Sequence, residues 1–254
     1  MLNSESITAV LLGEEIHVWP VRLRGTNEQL TRCSQALSPA ELSRGARFRF
    51  DHLRRAFLLA HGCRRKLLAE YLGIAWGEIQ FGYGSHGKPY IREPRTTLCF
   101  NQSDSKEIAV FAFAAGCEIG VDVEAIRRVN DQDEIAGRFF SRDENAELLS
   151  MPLSNRSSGF FAVWTRKEAF IKATGQGLRT PLDSFSVTVE PDANPQLLKI
   201  GGDPDAARDW HLSSFRPETG YVGAIAWFGK CKSVRVLPTI EAEDLLTKPG
   251  FGAA

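Results

Sequence analysis

The sequence carries no net charge, its 31 lysines and arginines being matched by 31 aspartates and glutamates. A neutral chain has no global attraction to nucleic acid or to an anionic membrane, so neither is an expected partner. Paired cysteines are lacking as well. Cys33, Cys63, Cys99, Cys117 and Cys231 are odd in number and scattered, with no Cys-x-x-Cys. That pattern reads as reduced thiols in a cytoplasmic protein, not as a disulfide frame or a zinc site. The five histidines are isolated, without His-Glu-x-x-His spacing. A targeting segment is not expected, because Glu14 and Glu15 cut short the apolar run Ile7–Leu12. The longest apolar stretch, Ile108–Cys117, is too short to span a bilayer. Low-complexity blocks and residue-level repeats are absent too. At 254 residues and 43% hydrophobic content, the chain can bury one large core or two small ones.

What is present rhymes at the level of elements. A strand over Ile16–Leu23 leads to Ser38-Pro39-Ala40-Glu41, which reads as N-cap, N1 and N3 of a helix. A second helix is predicted over Asp51–Tyr71, closed by Gly73, then strands at Glu78–Tyr83, Leu98–Gln102 and Ile108–Ala114. The next stretch repeats the order: a strand over Glu118–Glu124, a helix around Asp131–Phe139 and a capping box at Ser141–Glu144. A helix over Phe160–Thr174 ends at Gly175, and strands follow at Ser184–Glu190, Trp210–Phe215 and Tyr221–Trp227. The class is α+β. The expected boundaries are 1–117 for a first half, 118–240 for a second, and 241–254 for a disordered tail.

Charge is unevenly placed along this frame. From Arg44 to Lys66 eight basic residues face one acid, Asp51, whereas from Glu118 to Glu147 nine acids face four arginines. Most of those arginines read as a solvated helix face, yet a polyanion and its metal would fit between two such halves. Gly120-Val121-Asp122-Val123-Glu124 puts Asp122 and Glu124 on one face of a strand. Trp164, Glu168 and Lys172 share a stripe of the later helix. Taken singly, these are a sheet surface, a core tryptophan and an i, i+4 surface pair. Together they are charges set in apolar surroundings, which need partners. Three carboxylates without histidine or cysteine suit a hard cation, Mg²⁺ first and Mn²⁺ as the alternative. A lysine beside such a site is apparatus for phosphate chemistry.

Six segments, in order, carry a resemblance: Arg44–Arg55, Gly87-Lys88-Pro89-Tyr90, Phe100-Asn101-Gln102-Ser103, Gly120–Glu124, Phe139-Phe140-Ser141, and Trp164–Lys172 with Gly175-Gln176-Gly177-Leu178. With them the chain resembles the Sfp-type 4′-phosphopantetheinyl transferases over most of its length. The resemblance implies two similar α/β halves related by a pseudo-twofold, with the active site in the cleft between them. It implies transfer of the phosphopantetheine arm of coenzyme A to a serine of an acyl or peptidyl carrier protein, by a monomer. By the same resemblance Asp122, Glu124 and Glu168 are the metal ligands, and Glu168 and Lys172 the catalytic pair. Arg44, Arg47, Arg55, Gly87, Lys88, Pro89, Asn101, Ser103, Asp104, Asp122, Lys167 and Lys172 are the expected coenzyme A contacts. The stretch from Gly175 through Leu178 to Pro181-Leu182 is the expected carrier-docking lip. One position departs from the family pattern: Asp104 stands where a histidine contacts the 3′-phosphate. Two other readings stay open, a non-catalytic relative that binds coenzyme A or a carrier, and a magnesium phosphohydrolase.

Overall fold

A computed structural model of the chain describes residues 7–247 except 9, 11, 12 and 231, and of Leu178 the backbone alone. The fold is mixed α/β and is built twice over. The first copy runs β1 (Glu15–Arg22), α1 (Asn27–Ala36), α2 (Pro39–Gly45), α3 (Asp51–Leu72), a hairpin β2 (Gln80–Tyr83) and β3 (Pro89–Glu93), then β4 (Leu98–Ser105) and β5 (Ile108–Ala115). The second runs β6 (Ile119–Ala125), α4 (Gln132–Phe139), α5 (Arg142–Ser150), α6 (Leu153–Thr174), a hairpin β7 (Phe185–Val187) and β8 (Leu197–Ile200), then β9 (Trp210–Phe215) and β10 (Tyr221–Phe228). In each copy the last strand lies between the other two, antiparallel to both, giving β1-β5-β4 and β6-β10-β9. Both long helices have 22 residues and stop at a glycine in the left-handed region, Gly73 (φ 65°) and Gly175 (φ 67°).

Strand periodicity sorts the core into three parts. Ile16, Val18, Val110 and Ala112 of one sheet meet Ile119, Val121, Val123 and Ile225 of the other in a shared central layer. The alternate residues of the first sheet, including Trp19, Phe111 and Phe113, pack under α3. Ala224 and Ala226 of the second pack with α6. The order is helix, sheet, sheet, helix, and each strand face has one destination.

A buried latch recurs in both copies. Ser38 and Glu41 form the capping box of α2, and Ser141 and Glu144 that of α5. Glu41 then accepts from Arg65 Nη2 at 2.6 Å, and Arg65 Nη1 donates to the carbonyls of Trp76 (3.2 Å) and Ile79 (2.8 Å). Glu144 pairs with Lys167 Nζ at 2.8 Å, and that ammonium donates to the carbonyls of Leu182 (2.8 Å) and Phe185 (2.6 Å). Arg65 and Lys167 occupy the same position of their own helices, so each latch ties a short helix, a long helix and the hairpin that follows.

The boundaries differ from expectation at the C-terminal end. β11 (Ser233–Val236) and β12 (Ile240–Glu241) pair parallel with β1, completing the first sheet. α7 (Ala242–Thr247) buries Ala242, Leu245 and Leu246 in the first core. The cut at 240 therefore does not follow the strand pairing, and 241–247 is not a tail; residues 248–254 lie outside the described part. The cause is the outer edge of β1, whose free backbone groups would otherwise stay unpaired.

Candidate active site at the seam between the halves

β4 and β6 meet along the seam through side chains instead of a backbone ladder. Asn101, Ser103 and Ser105 alternate along β4 and so point one way. Asn101 Oδ1 accepts from Val121 N at 3.0 Å, and Ser105 Oγ accepts from Ala125 N at 3.2 Å. Between them Ser103 Oγ donates to Asp122 Oδ1 at 2.8 Å. The opposite alternation sends Gln102 and Asp104 into a groove.

Gly120, Asp122 and Glu124 take the face of β6 turned to α6, since their neighbours fill the central layer. Gly120 permits a very close approach of that helix. A Cβ there would stand 2.1 Å from Ala169 O and 2.2 Å from Ala173 N. Lys172 consequently reaches Asp122 Oδ1 at 2.7 Å and Ser103 Oγ at 2.9 Å. Asp122 Oδ2 is buried and has no hydrogen-bond partner among the described residues. Glu124 Oε2 accepts from Ser105 Oγ (2.8 Å) and Arg127 Nη1 (3.0 Å). Glu168 makes no hydrogen bond or ion pair with a described residue.

Burial raises the pKa of Asp122; Lys172 and Ser103 oppose the rise and the Glu124 charge adds to it. Burial also raises Glu168, followed by the charge of Asp122, with Lys172 opposing and Glu124 adding. Asp104 is raised by burial too, against Lys172 and with Glu124. The carboxylates thus feel one another; Lys172 offsets Asp122, Glu168 and Asp104, while Glu124 pairs with Arg127. A buried carboxylate oxygen without a donor, beside two further carboxylates, fits a hard divalent cation. Among the described residues, no three such side chains stand close enough to enclose one as they are.

A cavity of about 260 Å³ is lined by Glu168, Lys172, Asn101, Gln102, Gly175 and the turn His86–Pro89. Gly87 has φ +82° there, which the tight β2–β3 turn requires. A second cavity, about 460 Å³, shares Gly87, Pro89 and Gln102 with the first, so the two form one groove. Arg44, Arg64, Lys106, His61 and Asp104 bring charge and polarity to it, and Phe48, Phe57 and Tyr83 bring aromatic surface.

Several expected contacts lie elsewhere. Arg44 lines the larger cavity, over the Phe57 ring at 5.8 Å, whereas Arg47 is exposed and outside it. Arg55 points away, donating to Asn27 Oδ1 (2.7 Å) and Gly25 O (3.1 Å). Ala56 lines the cavity in its place, one helical step of about 100° further on. Lys167 is a latch residue with no exposed surface, so it cannot touch a ligand in the groove. Lys88 lines the smaller cavity, but its ammonium donates to Glu118 Oε2 (2.6 Å), Ile119 O (3.0 Å) and Ala173 O (3.2 Å), clasping the seam. Asn101 also lines the smaller cavity, with its Oδ1 committed to Val121 N across the seam. Of the docking lip, Leu182 is buried in the second core, and the Leu178 side chain lies outside the described part. Trp164 stacks on Phe160 with centroids 5.9 Å apart, which is a core role. Sequence reasoning passed over His61, Arg64 and Lys106 as site residues. Period-two alternation from Gln102 through Asp104 points to Lys106, but the arginines of α3 carry no such mark.

The chain matches the family model of the 4′-phosphopantetheinyl transferase superfamily over residues 118–226 and that of the N-terminal part of 4′-phosphopantetheinyl transferases over 22–116. The 4′-phosphopantetheinyl transferase HetI of Nostoc sp. is 35% identical over 86% of this chain and 90% of its own length. The 4′-phosphopantetheinyl transferase Sfp of Bacillus subtilis is 29% identical over 79% of this chain and 86% of its own. Among solved structures, the Chronobacterium ammoniagenes ACPS-CoA complex is similar at TM-score 0.35 and 20% identity, over 46% of this chain and 99% of that one. With both halves matched and a relative aligned over nearly its full length, the chain belongs to the 4′-phosphopantetheinyl transferase superfamily.

Proposed function

We propose that this enzyme transfers the 4′-phosphopantetheine arm of coenzyme A to a serine hydroxyl of an acyl or peptidyl carrier protein, releasing 3′,5′-ADP. The observation that carries the reading is a free, partly buried Glu168 beside Lys172, at the end of a groove that becomes basic and aromatic away from them. Asp122, Glu124 and Glu168 would hold a divalent cation, Mg²⁺ or Mn²⁺, whose role when bound is to neutralise the pyrophosphate. Glu168 accepts the serine proton, directly or through a water, and its raised pKa makes it a better base than an exposed glutamate. The serine Oγ forms a bond to the phosphorus carrying pantetheine, while the bond from that phosphorus to the bridging oxygen breaks. Lys172 then offsets the charge that collects on the phosphate of 3′,5′-ADP. The larger cavity takes the nucleotide end of the donor.

Intact mass of an apo carrier protein, after incubation with this protein, coenzyme A and Mg²⁺, tests the reading beside an EDTA control. A gain of one phosphopantetheine, absent with EDTA, is expected. No gain across several carrier types, with coenzyme A still bound, would replace it with a binding-only relative. Coenzyme A consumed without a carrier would replace it with a hydrolase. Because one chain supplies both walls of the groove, the working species is a monomer, and a dimer mass by light scattering would contradict that.

A further inference from the structure

The two latches are the same device with different charge counts. In the second copy one carboxylate, Glu144, meets one ammonium, Lys167. The residue before Lys167, Arg166, is wholly buried but spends its donors elsewhere: on Ser214 Oγ (3.1 Å) and the carbonyls of Thr188 (2.8 Å), Glu190 (3.1 Å) and Pro191 (3.2 Å). In the first copy Glu41 meets Arg65, which already does the work of Lys167. Glu41 then meets a second cation as well. Arg64 Nη2 donates to Glu41 Oε1 at 2.5 Å, and Arg64 Nη1 donates to Gln102 Oε1 at 3.2 Å. His61 adds no charge near neutral pH, since burial, with Arg64 and Arg44, pushes its pKa down to about 4 against the pull of Glu41.

The cluster therefore holds one positive charge more than the latch requires. Arg64 is 3% exposed, sits over the Phe81 ring at 4.4 Å, and has an Nε that is buried without a partner among the described residues. A buried cation in this state is costly unless an anion comes near. Arg64 lines the larger cavity, and so do Arg44 and Lys106; the acid in that wall is Asp104.

We propose that Arg64 is a specificity residue of the proposed transferase: a buried cation, fixed at the cavity wall by Glu41 and Gln102, whose surplus charge selects a donor bearing a phosphate monoester at its nucleotide end. This rests on the coenzyme A reading above. Coenzyme A carries such a group, as its 3′-phosphate, and dephospho-coenzyme A is the same molecule without it. Asp104 repels the phosphate across the cavity, and Arg64 and Arg44 outweigh that repulsion.

Calorimetric titration with coenzyme A and with dephospho-coenzyme A, on the full chain and on Arg64→Met and Arg64→Lys, isolates the effect. The full chain is expected to prefer coenzyme A. Arg64→Met, which leaves a one-to-one latch like that of the second copy, should weaken coenzyme A by about tenfold, the scale of one charge-assisted contact. Its affinity for dephospho-coenzyme A should stay within about twofold, and Arg64→Lys should keep most of the preference. Equal losses for both ligands would make Arg64 a structural residue and overturn the proposal. So would an unchanged preference in Arg64→Met, or a full chain that binds both ligands alike. A full chain that binds neither ligand overturns the coenzyme A reading itself, which the carrier mass shift reads separately.

Discussion

Glu168 and Lys172 stand one helical turn apart, yet only the lysine is committed to a partner. Glu168→Gln keeps the shape and removes the proposed base. Transfer in a single turnover, followed by carrier mass, should fall at least about a hundredfold, while calorimetry still detects coenzyme A; transfer at the original rate would remove Glu168 from the chemistry. His61 gives a second test at this scale. Its folded pKa, about 4, lies below its ordinary 6.5, so the folded state holds the neutral ring. A depressed pKa contributes stability that is complete above 6.5 and is lost as pH falls toward 4, here about 3 kcal/mol. Glu41, whose pKa is lowered by His61, Arg65 and the Ser38 backbone against its own burial, continues the loss at lower pH. Urea midpoints should therefore drop between pH 6.5 and pH 4, and His61→Gln should flatten that interval. An equal drop in the variant would place the acid sensitivity elsewhere.

Among the elements, the approach of α6 to β6 decides whether a site exists. Gly120→Ala puts a methyl group against helix backbone that cannot rotate aside. The cost should be about 3 kcal/mol, the upper end for overpacking, read as a lower thermal midpoint. Lys172 would lose its reach to Asp122, so transfer should fall further than stability alone explains. A variant as stable and as active as the parent would show the contact to be looser. Much at this scale was legible in the sequence. The Ser38–Glu41 and Ser141–Glu144 boxes and the stops at Gly73 and Gly175 are local rules, and they hold in the fold. Asp122 and Glu124 facing α6 follows from strand alternation. Other features depend on distant partners. Ser233–Val236 is a strand because β1 has an open edge, and α7 is held because the first core takes Leu245 and Leu246. Arg64 reads like the exposed arginines earlier in the basic run, Arg47, Arg49 and Arg54, until the capping box of α2 is seen beneath it. Arg55 and Ala56 differ by one position, which periodicity in a basic run does not resolve.

For the molecule as a whole, the closing segment returns to the half where the chain began. Ending the chain after Lys232 would bare the outer edge of β1 and remove Leu245 and Leu246, each worth about 2 kcal/mol of burial, from the first core. Such a chain should lose cooperative unfolding by circular dichroism, and retained cooperativity would show the first half to be closed without it. The doubled architecture has a further consequence. Lys66 and Glu70, a closed ion pair at 2.6 Å, occupy in α3 the places that Glu168 and Lys172 occupy in α6. Two identical chains meeting about a twofold axis must present the same residues to each other, so any pocket on the axis has matching walls. Joining the two copies in one polypeptide lifts that obligation. One copy is then free to close its helix with a salt bridge and line the groove with arginine, while the other opens the equivalent turn and turns the Glu168 carboxylate into it.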